Sequence, residues 1–127
     1  MESNNLPESK LRIYIAGPMR GHKNFNFKAF YKAEELLRNI GFKYIGNPAD
    51  LDTRLYGEDI FKSKKGKTED ILKKDPSFSE RKVLLSDMKW ICTYATHMYM
   101  LEGWEYSLGA QAEHALAKAL GLTIMYE

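Results

Sequence analysis

Residues Gly103 to Tyr126, GWEYSLGAQAEHALAKALGLTIMY, decide the fold. An Ala- and Leu-rich helix opens on Ser107, a residue type that caps helix N-termini, and an apolar run, Leu122 to Tyr126, follows it as a strand. At about 100° per residue, Leu108, Ala112, Ala115, Leu116, Ala119 and Leu120 fall on one apolar arc, with Gln111, His114 and Lys118 opposite. Glu113 lands beside Leu120, on the margin of the face expected to be buried. A carboxylate there either reaches solvent or a basic partner along its stem, or is desolvated and used chemically.

Upstream, the same alternation of short strands and amphipathic helices recurs. Leu11 to Ala16 reads as the first strand and ends in the turn Gly17-Pro18-Met19-Arg20-Gly21, whose glycines let backbone N–H groups approach a ligand. Asn26 is the expected cap of a helix to about Ile40, with Phe27, Phe30, Tyr31, Ala33, Glu34, Leu37 and Ile40 as its mostly apolar stripe and Gly41 as its stop. Phe42 to Ile45 is a second strand, broken by Asn47-Pro48. From Ala49 to Pro76 charges are dense and apolar residues sparse, so residues 50–76 read as a mobile insertion with a helical turn near Thr68 to Lys73. Ser77-Phe78-Ser79-Glu80 has the spacing of a capping box. A helix to about Thr93 should follow it, with Val83, Leu84, Met88 and Ile91 inward, and then a third strand, His97 to Leu101. Residues 1–10, polar and without periodicity, read as a disordered tail, leaving 11–127 as a single domain.

This order predicts an α/β fold: a small Rossmann/flavodoxin-like three-layer sandwich with a four- to five-stranded parallel sheet. Ligands of such sheets sit beyond the carboxyl ends of the strands, where the Gly17–Gly21 turn, the Gly103–Ser107 turn and the insertion should meet.

Composition narrows the function classes. In 127 residues, 44% hydrophobic and 28% charged residues describe an ordinary soluble protein, and a net charge of +2 gives no ground for a nucleic-acid or membrane surface. Lys62 to Lys67 is a short basic run that reads as a solvated loop. A lone cysteine, Cys92, excludes an intramolecular disulfide, and its apolar neighbours suggest a buried thiol. His22, His97 and His114 lie on different elements and form no recognisable metal-ligand set, so no metal or cofactor is expected. With no apolar window long enough to span a bilayer and a polar start, a cytoplasmic protein is expected.

Several residues carry chemistry in combination. Ser107, with Gly109 and the free N–H groups of the first helical turn, is either a plain cap or an anion site. Arg20 is either a surface ion pair or a planar fork for phosphate or carboxylate. Asp87 is a second carboxylate able to reach the crevice, or else a solvated residue on the polar side of its helix. Phe25, Phe27 and Trp104 flank the two turns; core packing is the simpler reading, stacking on a base the functional one.

Three motifs resemble the nucleoside 2-deoxyribosyltransferase superfamily: YIAGPMRG (Tyr14 to Gly21), Ser86-Asp87 with Trp90, and SLGAQAEHALA (Ser107 to Ala117). The similarity is greatest to its 2′-deoxynucleoside 5′-monophosphate N-glycosidases and their small phage-encoded relatives. It implies hydrolysis of the N-glycosidic bond of a nucleoside monophosphate. Glu113 would be the nucleophile, Asp87 its orienter and the assistant of base departure, and Tyr14 a neighbour of the reacting sugar. With the reading of the two turns above, the residues expected to bind substrate are Gly17, Met19, Arg20, Gly21, Trp104, Ser107 and Gly109, although Pro18-Met19 departs from the smaller polar residues of the hydrolases. Ser107 stands where the transferases of free nucleosides tend to carry Asp, and it implies a 5′-phosphate. The resemblance also implies a homo-oligomer, dimer or larger, and a small nucleotide rather than nucleic acid as partner. Base exchange and non-catalytic nucleotide binding are the rival functions.

Overall fold

The computed structural model describes residues 10–127, so the expectation of a disordered tail lies almost wholly outside the described residues. The elements run β1 (Arg12–Ala16), α1 (Phe27–Asn39), β2 (Tyr44–Gly46), α2 (Pro48–Tyr56), α3 (Thr68–Lys74), α4 (Glu80–Tyr94), β3 (His97–Met100), α5 (Leu108–Leu120) and β4 (Thr123–Tyr126). The four strands form one all-parallel sheet in the order β2-β1-β3-β4. This is the expected α/β sandwich, with four strands. The order steps outward from β1 in both directions, so the loops after β1 and β3 flank the crevice where such sheets bind ligands.

Strand alternation sorts the core into two halves. Ile13 and Ile15 of β1 and Tyr99 of β3 pack with Phe30, Ala33 and Leu37 of α1, whereas Tyr14, Ala16, Met98 and Met100 face the other way, toward Ile91 of α4 and Ala117 of α5. Both faces of the sheet are therefore covered.

Five local expectations are corrected. Residues 50–76 are not an irregular insertion: α2, a 3-10 turn at Asp59–Phe61 and α3 occupy most of them, and Ile60, Phe61 and Ile71 enter the core. Asn47-Pro48, read as a strand breaker, starts α2, with Asn47 accepting from the Ala49 amide and Pro48 in the first turn. The cap of α4 is Ser79, accepting from the Lys82 amide at 3.3 Å, while Ser77 bonds to Asp75. Asn26 sits in a left-handed conformation and makes no side-chain cap; its amide donates to the Pro18 carbonyl at 2.9 Å. Cys92, expected buried, is exposed on α4.

The first turn is held against the segment before α3. The Gly21 amide donates to the Gly66 carbonyl at 2.9 Å, and Asn24 exchanges hydrogen bonds with Ser63 at 2.7 and 2.8 Å. Gly66 has φ +63, and a Cβ there would lie 2.2 Å from the His22 carbonyl oxygen. Gly66→Ala is therefore expected to lower stability by about 2–4 kcal/mol through left-handed strain and overpacking. Urea unfolding checks this; an unchanged midpoint would show that the clasp yields without cost. Among the described residues, no helix is long and apolar enough to cross a membrane.

Candidate active site

A cavity of about 300 Å³ opens beyond the carboxyl ends of the strands. Gly17, Met19 and Arg20 from the first turn contribute to its wall, as do Asp87 from α4 and Ser107, Gly109 and Glu113 from the start of α5. Phe25, Phe61, Ile71 and Phe78 make an apolar portion. Phe25 reaches it through a run of three left-handed residues, Asn24, Phe25 and Asn26, with φ of 51, 56 and 64°. Non-glycine residues adopt this conformation at a cost of about 1–2 kcal/mol each. Bonds to Ser63 and Pro18 hold Asn24 and Asn26 there.

Glu113 is 6% exposed and lies at the centre of the buried face of α5, not on its margin. The inward face is Ala110, Glu113 and Ala117, while Leu108 is 75% exposed and Ala112, Ala115, Ala119 and Leu120 also point outward. Small side chains let the helix approach the sheet, so the leucines that suggested the buried arc are displaced to its edges. The fully buried Tyr14 donates its hydroxyl to Glu113 Oε2 at 2.6 Å. Asp87 is 5% exposed, and its Oδ1 accepts no hydrogen bond from the described residues.

Burial dominates the electrostatics. It pushes the Glu113 carboxyl up to about 8, against the opposing Tyr14 hydrogen bond, with a smaller upward contribution from Asp52. Asp87 rises to about 9 through burial, then repulsion by Glu113 and Asp52. The Tyr14 hydroxyl is pushed well above its ordinary value by burial and by Glu113, so it remains a donor. The two carboxyls, Glu113 and Asp87, thus have proton affinities within a useful range for acid and base chemistry near neutrality.

Ser107 caps α5, its Oγ accepting from the Ala110 amide at 3.2 Å. The cap and the first-turn amides stand at the cavity wall, where an anion would be favoured. Arg20 is at the exposed rim, 3.4 Å from Glu80, which also accepts from Thr68 at 3.1 Å.

Two expected substrate-binding residues lie outside the cavity wall. Trp104 stacks on His114 with ring centroids 4.2 Å apart, and Gly21 spends its amide on Gly66. A residue absent from the sequence expectations takes their place: Asp52 of α2, 3% exposed and lining the cavity. Its Oδ1 accepts no hydrogen bond from the described residues, and burial pushes its carboxyl up to about 7. Asn47-Pro48 was the available signal, since a cap followed by proline at the first helical position places Asp52 one turn beyond the buried Pro48. Among the described residues, no group of three His, Cys, Asp or Glu side chains is arranged to hold a metal ion.

Comparison with curated proteins and comparison with solved structures gave no match. A protein-family model described as "Domain of unknown function (DUF4406)" matches residues 11–126, which include every strand, every helix and the whole cavity wall. The chain therefore belongs to the DUF4406 family.

Proposed function

We infer that this protein hydrolyses the N-glycosidic bond of a nucleoside 5′-monophosphate, as a member of the wider nucleoside 2-deoxyribosyltransferase group that its motifs resemble. The observation that carries this reading is the 2.6 Å hydrogen bond from Tyr14 to a buried Glu113 in the wall of a cavity that also holds Asp87 and the N-terminus of α5. Glycosidic cleavage passes through an oxocarbenium-like state at C1′. Ionised Glu113 attacks C1′ while the C1′–N bond breaks, and Asp87 delivers a proton to the departing base. Water then adds to C1′ of the glycosyl ester, giving its proton to Asp87 and releasing Glu113 with net retention. The deeper proton affinity of Asp87, about 9 against about 8 for Glu113, suits this division into acid and nucleophile. Tyr14 orients Glu113. A 5′-phosphate on Ser107 and the first-turn amides of α5, reached by Arg20 on leaving Glu80, would fix the sugar over the nucleophile.

The same reading includes a homo-oligomer. Leu85, Leu108 and Leu120 are exposed on α4 and α5, and Leu108 also lines the cavity, so association there would cover apolar surface beside the substrate.

Chromatographic measurement of free base tests the function, with deoxynucleoside monophosphates, their ribose counterparts and the dephosphorylated nucleosides as substrates. Release from one or more monophosphates is expected, weakened about tenfold or more by removing the phosphate and by Ser107→Ala. Release only on addition of a second base would make the protein a transferase. Nucleotide binding without turnover would make it a binder.

A further inference from the structure

Asp52 has no part in the mechanism above, yet it is an acidic side chain 97% withdrawn from solvent, unpaired at Oδ1 and set in the wall of the same cavity. A buried polar group without a partner is costly and is retained where a ligand completes it. Among the described ion pairs none involves Asp52. Among the described residues, no group of three acidic, His or Cys side chains is arranged to hold a metal ion there. The apolar wall of Phe25, Phe61, Ile71 and Phe78 favours a flat, weakly hydrated ring.

Topology separates Asp52 from the anion end. Ser107 and Gly109 begin the helix that follows β3, whereas Asp52 belongs to the helix that follows β2, on the far side of β1. Adjacent strands are about 4.8 Å apart, so the two helix starts are roughly 10 Å apart along the sheet. That is the scale of a nucleotide lying across the crevice, with phosphate at α5, sugar over Glu113 and base toward α2.

We propose that Asp52 reads the base, accepting a hydrogen bond from an exocyclic amino group and so selecting amino-bearing bases over bases that present only carbonyl oxygens and a ring N–H. This rests on the nucleotide reading above. An ionised carboxylate has acceptors only, so a 4-oxo group opposite it sets lone pair against lone pair, while an amino group satisfies it. The buried groups sharing the cavity with it, Asp87 of α4 and Glu113 of α5, with Tyr14 of β1 behind them, bring no positive charge, and the one cation of the wall among the described residues, Arg20, stands at the exposed rim 3.4 Å from Glu80, where water screens it.

The test compares kcat/KM for base release, and Kd in parallel, for deoxycytidine, deoxyadenosine, deoxyguanosine, deoxyuridine and thymidine monophosphates at about pH 8. Wild-type protein and Asp52→Asn are compared, with thermal unfolding to verify that the variant folds. At least one amino-bearing nucleotide is expected to exceed both oxo-pyrimidine nucleotides by about a hundredfold or more in the wild type. Asp52→Asn, which adds a donor able to meet a carbonyl, should narrow that ratio by about tenfold or more. Turnover or binding with an oxo-pyrimidine preference, or with a ratio indifferent to Asp52→Asn, would overturn the role of Asp52 and leave the function standing. Absence of both binding and turnover for every nucleotide would overturn both. Binding without turnover still reports on Asp52 through the Kd ratio.

Discussion

Glu113→Gln is expected to lower base release by about three to four orders of magnitude with little change in nucleotide affinity, because an amide keeps the shape of the side chain but cannot attack C1′. The residual rate would come from positioning and from the proton supplied by Asp87. Single-turnover kinetics with a monophosphate substrate, beside a binding isotherm for the same nucleotide, separates these effects. Retention of more than about a tenth of the wild-type rate would remove Glu113 as nucleophile. Tyr14→Phe probes the same hydrogen bond more gently. The hydroxyl lowers the proton affinity of Glu113, so its removal should move the rise of activity with pH to higher pH, in addition to reducing the rate. A purely structural Tyr14 would alter stability and leave the pH profile in place.

Removing a carboxyl charge from the cavity is expected to stabilise the fold. Asp52, Asp87 and Glu113 are buried without a cation, and all three have carboxyls raised above their ordinary values. Between the unfolded and the raised folded pKa, the folded state holds more protons than the unfolded state, so stability falls as pH rises through that window. The contribution is fully present below about pH 4, declines progressively toward about pH 9, and stays low beyond it. For Asp52 alone, a rise from 3.8 to about 7 corresponds to on the order of 4 kcal/mol as an upper bound. Since an amide brings N–H groups that need partners, Asp52→Asn should raise stability at about pH 8 by about 1–3 kcal/mol, with the gain vanishing near pH 4. Denaturant unfolding across pH measures this. A gain independent of pH, or a loss at about pH 8, would mean that the carboxylate is stabilised by its surroundings. A gain of this sign is the pattern of a site held ready for a ligand at the expense of stability.

How much of the molecule was legible in the chain depends on how local the cause was. The first strand, the stop at Gly41, the cap at Ser107, and the last two strands follow from residues within a few positions of one another, and each was found within a residue or two. The helix α2 was missed because its acidic and basic side chains, Asp50, Asp52 and Arg54, concealed a short buried face of Pro48, Ala49 and Asp52. The capping box at Ser77 failed for a similar reason. Asp75 competes for the Ser77 hydroxyl, and the helix begins two residues later. On α5, counting leucines pointed to the wrong face, since the close approach to Tyr14 and the sheet selects Ala110 and Ala117 by size.

The sequence by itself determined the alternation of strands and helices, the parallel sheet that this alternation requires, and the presence of Glu113 and Asp87 on the helices flanking β3. These are consequences of hydrophobic period, capping and chain connectivity. Only the tertiary structure decided that Tyr14 meets Glu113, that Asp52 joins them from a helix 61 positions earlier, and that all three carboxyls lose their water. The shift of a proton's affinity depends on the distance and dielectric between groups far apart in the chain, and those quantities exist only once the helices have packed against the sheet.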